Sequence, residues 1–148
     1  MKFKTKTEQE TREVGKKLGL TFLNSEQGKN HALVVSLEGD LGTGKTTLTQ
    51  GLAQGLGVEK WIKSPTFVLM REHVLPKESS KHRLYHIDCY RLKNSESLIE
   101  LGLKDILKDK ENIVLIEWGE RLGDLLPKTA LRIKFKHLKN RQREIEVL

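Results

Sequence analysis

The chain has little of several things that define whole classes of protein. Of its 148 residues only Cys89 is a cysteine, so no disulfide can close within the chain. A Cys-x-x-Cys redox pair and a multi-cysteine zinc site are excluded with it. Aromatic residues make up 5%, a poor supply for a protein that reads RNA by stacking bases on rings. The longest apolar-rich run, 32–37, falls far short of the roughly 20 residues that span a bilayer. The opening Met1-Lys2-Phe3-Lys4-Thr5-Lys6 has no apolar core and does not read as a signal peptide. The expectation is a soluble, cytoplasmic protein with no membrane association.

What is present is an ordinary globular composition with a basic excess. Hydrophobic residues are 36% and charged residues 32%, apolar enough to avoid disorder. A chain of 148 residues fits one domain, here 1–148, and buries about 70% of its unfolded surface. Lys and Arg number 27 against 20 Asp and Glu, a formal net charge of +7. That balance points weakly to an anionic partner and does not say which.

Periodicity places the elements. Segment 7–18 has apolar residues only at Val14 and Leu18 among charges, and predicts a short surface helix. Ala32-Leu33-Val34-Val35-Ser36-Leu37 suits a strand covered on both faces. From Lys45, apolar residues at Leu48, Leu52, Ala53 and Leu56 mark a helix face that Gly57 stops. Strands are expected over 67–75 and 84–90, with a polar loop at 76–82 between them. Tyr85, Ile87 and Cys89 alternate there against His86, Asp88 and Tyr90. Segment 95–107 reads as two short helical pieces divided at Gly102, and Ile113-Val114-Leu115-Ile116 as a second buried strand. Leu131, Ile133 and Phe135 alternate with Arg132, Lys134 and Lys136; after a turn at Lys139-Asn140, Ile145 and Val147 alternate with Glu144 and Glu146. This is a terminal hairpin with one wet face. Strands interleaved with helices imply an α/β fold of three layers, a mostly parallel central sheet with antiparallel additions.

Gly39-Asp40-Leu41-Gly42-Thr43-Gly44-Lys45-Thr46, followed by Thr47, matches G-x-x-x-x-G-K-[ST] in full. Glycines let the backbone take positive φ and approach a phosphate. Successive N–H groups then form an anion nest, which the start of the following helix reinforces. Lys45 can reach β- and γ-phosphates, and the Thr46 hydroxyl can ligate Mg²⁺. The strand before the loop and the helix after it are the context this motif requires. The fold is therefore a P-loop NTPase.

Such sites need a carboxylate at the end of another buried strand. Glu117, directly after 113–116, is the candidate for the metal shell. Asp88 is the candidate for a metal-bound or attacking water, with Arg91 as an obvious salt-bridge partner. Thr66, after the Ser64-Pro65 turn, could sense a γ-phosphate through its hydroxyl as switch threonines do; the alternative is an ordinary Ser-Pro turn with Phe67 packing in the core. Trp118 reads as a packing anchor, His86 as a half-buried strand residue and Cys89 as inert filler.

Four blocks in order, Leu37-Glu38 with the phosphate loop, Ser64-Pro65-Thr66-Phe67, Tyr85-His86-Ile87-Asp88-Cys89-Tyr90-Arg91 and Leu115-Ile116-Glu117-Trp118, resemble the bacterial TsaE family. The H-x-D-x-Y-R and I-E-W blocks discriminate it from other P-loop proteins. The resemblance implies a small ATPase using ATP and Mg²⁺ in tRNA threonylcarbamoyladenosine (t6A) biosynthesis, associated with the TsaB–TsaD heterodimer and meeting tRNA only through that complex. It implies that Lys45 and Thr46 hold phosphate and Mg²⁺, that Glu117 belongs to the Mg²⁺ shell, that Asp88 is needed for hydrolysis and that Thr66 sits in a switch-like loop. It also implies an arginine close to the nucleotide base near the last strand. Arg141 and Arg143 compete for that place, and Arg143-Glu144-Ile145 is the better match.

Two other classes are weaker. A P-loop kinase closes an Arg-bearing lid over its phosphates, and 73–83 makes a poor one. An RNA-binding module would use Arg132, Lys134, Lys136, Lys139, Arg141 and Arg143, but their alternation with apolar residues describes a solvated outer strand face. A GTPase is a weaker reading still, since no Asn-Lys-x-Asp motif occurs at Asn24, Asn30, Asn94, Asn112 or Asn140.

Overall fold

The computed structural model describes residues 1–65 and 69–148. A seven-stranded sheet has the order β1-β7-β6-β2-β5-β4-β3. Its strands are β1 (Lys2–Thr5), β2 (Leu33–Glu38), β3 (Met70–Val74), β4 (Arg83–Asp88), β5 (Asn112–Glu117), β6 (Leu131–His137) and β7 (Arg143–Val147). Strands β6, β2, β5 and β4 run parallel, while β1, β7 and β3 are antiparallel to their neighbours. The helices are α1 (Glu8–Leu23), α2 (Lys45–Gly55), α3 (Glu96–Glu100) and α4 (Leu103–Lys108), with a 3-10 segment at Gly119–Leu125.

The two-residue period of the strands divides the core into two layers. Leu33, Val35 and Leu37 of β2 join Ile113, Leu115, Leu84, Ile133 and Phe135 under α1 and α2. Val34, Val114, Ile116, Tyr85 and Ile87 point the other way, against Leu98 of α3 and Leu103 of α4. This is the expected three-layer architecture. The division of 95–107 at Gly102 also holds, with Gly102 at φ +88° starting α4.

Helix α1 departs from the reading of a short surface helix. It is capped by Thr7, whose hydroxyl accepts from Glu10 N at 3.1 Å, and it continues to Leu23 because its inner face packs on α2. Glycines make that packing possible. A Cβ at Gly51 would lie 2.1 Å from the Arg12 carbonyl oxygen, and one at Gly15 would lie 2.4 Å from that of Leu48. Both contacts are with backbone, which cannot rotate away. Gly51→Ala should therefore destabilise the fold by about 1–3 kcal/mol and lower Tm by several degrees in a thermal melt. A wild-type Tm would contradict this packing.

Strand β1 was not foreseen. Its Lys2 and Lys4 face Glu146 and Glu144 of β7, which in turn face Lys134 and Lys136 of β6. Lys2 Nζ lies 3.2 Å from Glu146 Oε1. Arg132 grips Glu38 through Nε at 2.7 Å and Nη2 at 2.9 Å. Acidic partners thus interrupt the basic stripe of the hairpin, which keeps the wet face expected of it. Among the described residues no helix is long and apolar enough to cross a membrane.

Candidate active site

The carboxyl ends of parallel strands are where α/β sheets bind ligands, and the chemistry-bearing residues gather there. The loop 39–44 leaves the end of β2, Asp88 ends β4 and Glu117 ends β5. Asp88 and Glu117 are register partners on adjacent strands. A cleft of about 400 Å³ opens between them, lined by Leu41, Gly42, Gly44, Lys45, Thr46, Thr47, Ser64, Asp88, Glu117 and Arg143 among others.

The loop has the backbone that its glycines permit. Gly39, Gly42 and Gly44 have φ of +147°, +74° and +103°. At Gly39 a side chain is excluded twice over, since a Cβ would also lie 2.8 Å from the Phe135 carbonyl oxygen. Gly44 starts α2, and so sets the amino end of that helix against the cleft.

Lys45 is turned back on its own loop. Its ammonium donates to Gly39 O at 2.6 Å, to Asp40 O at 2.7 Å and to Thr43 Oγ1 at 3.4 Å. The Thr43 hydroxyl itself donates to Asp40 O at 2.7 Å. Burial holds Lys45 below the usual lysine range, against the opposing pull of Glu117, Glu120, Asp40 and Asp88. A phosphate in the cleft would replace neutral carbonyl partners with a charged one, which makes a shorter and stronger hydrogen bond.

Glu117 lies almost wholly buried between two partners. Thr46 Oγ1 donates to its Oε1 at 2.6 Å, and His86 Nε2 stands 2.6 Å from its Oε2. His86 is 0% exposed, not half-buried as the alternation of β4 suggested. The strand is covered on both faces, so alternation there separates two buried layers instead of inside from outside. Asp88 accepts from Ser64 Oγ at 2.5 Å through Oδ2 and from the Tyr90 backbone N–H at 2.9 Å through Oδ1. The Ser64 hydroxyl and the Tyr90 amide were not foreseen as its partners. Cys89 is fully buried, and burial pushes its thiol up to about 12, which suits the inert role expected of it.

Trp118 does more than anchor packing. Its ring touches the core under α3 and α4, and it also lies 4.1 Å from Lys45 Nζ. The Tyr90 ring is 5.2 Å away. The Arg121 guanidinium stands 4.8 Å from the Trp118 ring and bonds the Tyr90 carbonyl. A lone Trp and a solitary Arg on an unforeseen 3-10 turn carry no spacing signal, so this cluster was invisible beforehand.

Of the two competing arginines, Arg143 lines the cleft. Its Nη1 would lie 3.2 Å from a Cβ built at Gly44 and donates to Thr11 Oγ1 of α1 at 3.4 Å. Arg141 is exposed in the hairpin turn. Thr66 lies outside the described residues.

Comparison with known proteins gives the family and the fold. A family model described as "Threonylcarbamoyl adenosine biosynthesis protein TsaE" matches residues 5–145. A TsaE of Bacillus subtilis is 36% identical over 98% of this chain and 83% of its own length. One of Haemophilus influenzae is 37% identical over 90% of this chain and 80% of its own. The crystal structure of Bacillus subtilis YdiB superposes with a TM-score of 0.74 at 32% identity, covering 98% of this chain and 82% of that one. On sequence and on fold, the chain belongs to the TsaE family of tRNA threonylcarbamoyladenosine biosynthesis proteins.

Proposed function

We propose that the protein is the Mg²⁺-dependent ATPase component of t6A biosynthesis, acting with the TsaB–TsaD heterodimer and not itself transferring the threonylcarbamoyl group. The observation that carries this reading is the meeting of Thr46 and Glu117 at 2.6 Å beside the phosphate loop. A hydroxyl and a carboxylate are hard oxygen donors of the kind Mg²⁺ takes. Among the described residues no group of three or more His, Cys, Asp or Glu is placed to hold a metal alone. Mg²⁺ ordinarily needs only one or two carboxylates alongside nucleotide phosphates, so the residues present fit it. The ion would supply charge neutralisation on the phosphates.

The chain's own residues do the rest. The loop amides and Lys45 bind the phosphates, and Thr46 and Glu117 offer oxygen ligands. Asp88, held by Ser64 and the Tyr90 amide, would orient the attacking water. Water adds to the γ-phosphorus, the bond to the β,γ-bridging oxygen breaks, and ADP and inorganic phosphate leave. Catalysis is mostly positioning and charge, and turnover by the protein alone is slow. Arg143, beside Gly44, would meet the nucleotide, and Thr66 would follow the γ-phosphate on the strength of its sequence context alone.

Product analysis tests the reaction. Incubation with ATP and Mg²⁺ should yield ADP and inorganic phosphate in equal amounts, and EDTA should abolish it. A phosphorylated small-molecule product in place of inorganic phosphate would make the protein a kinase.

A further inference from the structure

We infer that His86 is a positioning residue for Glu117, fixing which carboxylate oxygen faces the metal. The inference rests on the Mg²⁺ reading above and adds a residue to it. An ionised carboxylate can only accept hydrogen bonds, so the 2.6 Å contact between His86 Nε2 and Glu117 Oε2 has the imidazole as donor. With Oε2 occupied, Oε1 is the oxygen left to Thr46 and the cleft.

The packing explains why these two residues meet. Leu84, His86 and Asp88 alternate onto the α2 face of β4, as Ile113, Leu115 and Glu117 do on β5. His86 is opposite Leu115 in register, two residues behind Glu117 on the same face, so its ring reaches forward along the sheet to the carboxylate. A buried imidazole costs about 1–3 kcal/mol if its polar atoms lack partners. Its Nδ1 is buried with no hydrogen-bond partner among the described residues. An apolar residue would suit the surrounding core of Leu84, Ile113 and Leu115 better. The ring's polarity is used at Nε2, on Glu117. Partners of this kind, behind a metal-binding group, typically change metal affinity 10- to 100-fold when removed.

Two amide substitutions separate positioning from mere filling. The Gln amide nitrogen reaches the place of the imidazole Nε2, whereas the Asn amide stops near Nδ1. Affinity for a non-hydrolysable ATP analogue is measured by calorimetry in Mg²⁺ and again in EDTA, so that the ratio isolates the metal. His86→Asn should lower that ratio tenfold or more while leaving the EDTA affinity within threefold. His86→Gln should keep the ratio within threefold of wild type. An unchanged ratio in His86→Asn, or an equal loss in both variants, overturns the role of His86. Should His86→Asn not fold, a tenfold loss in His86→Gln alone overturns it. A wild type whose affinity ignores Mg²⁺ overturns the metal reading itself, and this inference with it.

Discussion

Lys45→Ala should abolish tight ATP binding, weakening affinity at least a hundredfold. Each hydrogen bond to a charged group contributes about 1.5–3 kcal/mol, and a lysine that engages two phosphates makes two of them. Three kcal/mol already exceeds two decades in Kd. The donors are at hand: the Lys45 ammonium sits inside the loop on two carbonyls and a hydroxyl. The unliganded fold should respond differently. Burial lowers the Lys45 pKa, so folding disfavours the charged form. That penalty is in force at neutral pH and fades as pH rises through the lowered folded value toward the unfolded one. Removing the ammonium removes the penalty, which offsets the lost hydrogen bonds, and the variant should keep its Tm to within about 4 °C. Ligand stabilisation follows RT ln(1 + [L]/Kd). A thermal shift with ATP should therefore raise the wild-type Tm and leave that of the variant in place. An equal rise in both would contradict the assignment of Lys45.

Glu117→Gln should reduce Mg²⁺-dependent turnover at least a hundredfold while nucleotide affinity in EDTA stays within about threefold. Metal-assisted charge stabilisation is worth several kcal/mol in the transition state, and 2.7 kcal/mol is a hundredfold in rate. The substitution conserves volume, yet both neighbours are donors: Thr46 Oγ1 to one oxygen and His86 Nε2 to the other. An amide presents an acceptor to only one of them and sets its own N–H₂ against the second. The carboxylate is 2% exposed, so water does not relieve that mismatch. Single-turnover rates with and without Mg²⁺ measure the effect. Wild-type turnover in the variant would remove Glu117 from the metal shell.

The parts of this molecule legible in the sequence are those set by local pattern. The phosphate loop is contiguous, and its glycines adopt the positive φ values they were expected to supply. The buried runs at 32–37 and 113–116 became adjacent parallel strands because unbroken apolar runs need cover on both faces. Gly102 divided two helices because its φ is positive. The remainder depends on contacts distant in sequence. β1 has a single apolar residue, Phe3, and exists as a strand through pairing with β7 at the far end of the chain. The extent of α1 is decided by Gly15 and Gly19 meeting α2 backbone; read alone, two glycines weaken a helix. His86 was misplaced because period-2 alternation marks opposite faces of a strand and is silent on whether both are covered. The strand expected over 67–75 begins at Met70 among the described residues, and its first part lies outside them.

The basic excess also changes meaning. Lys134 and Lys136 are matched to Glu146 and Glu144, Arg132 is spent on Glu38 and Arg143 turns into the cleft. Of the six hairpin cations, Lys139 and Arg141 remain at the turn. A net charge of +7 is compatible with tRNA nearby in a complex and does not by itself make an RNA-binding face. The low aromatic content points the same way, since Tyr90 and Trp118 pack against each other beside the cleft instead of lining an open platform.

On the function proposed above, this cleft hydrolyses ATP in the service of a partner complex. ATP turnover titrated with purified TsaB–TsaD heterodimer, at fixed Mg²⁺, tests it most directly. The rate should rise with heterodimer and saturate at a defined stoichiometry, and the Glu117→Gln variant should show no such rise. A rate unchanged by the heterodimer, with no co-purification of the two, would contradict the account.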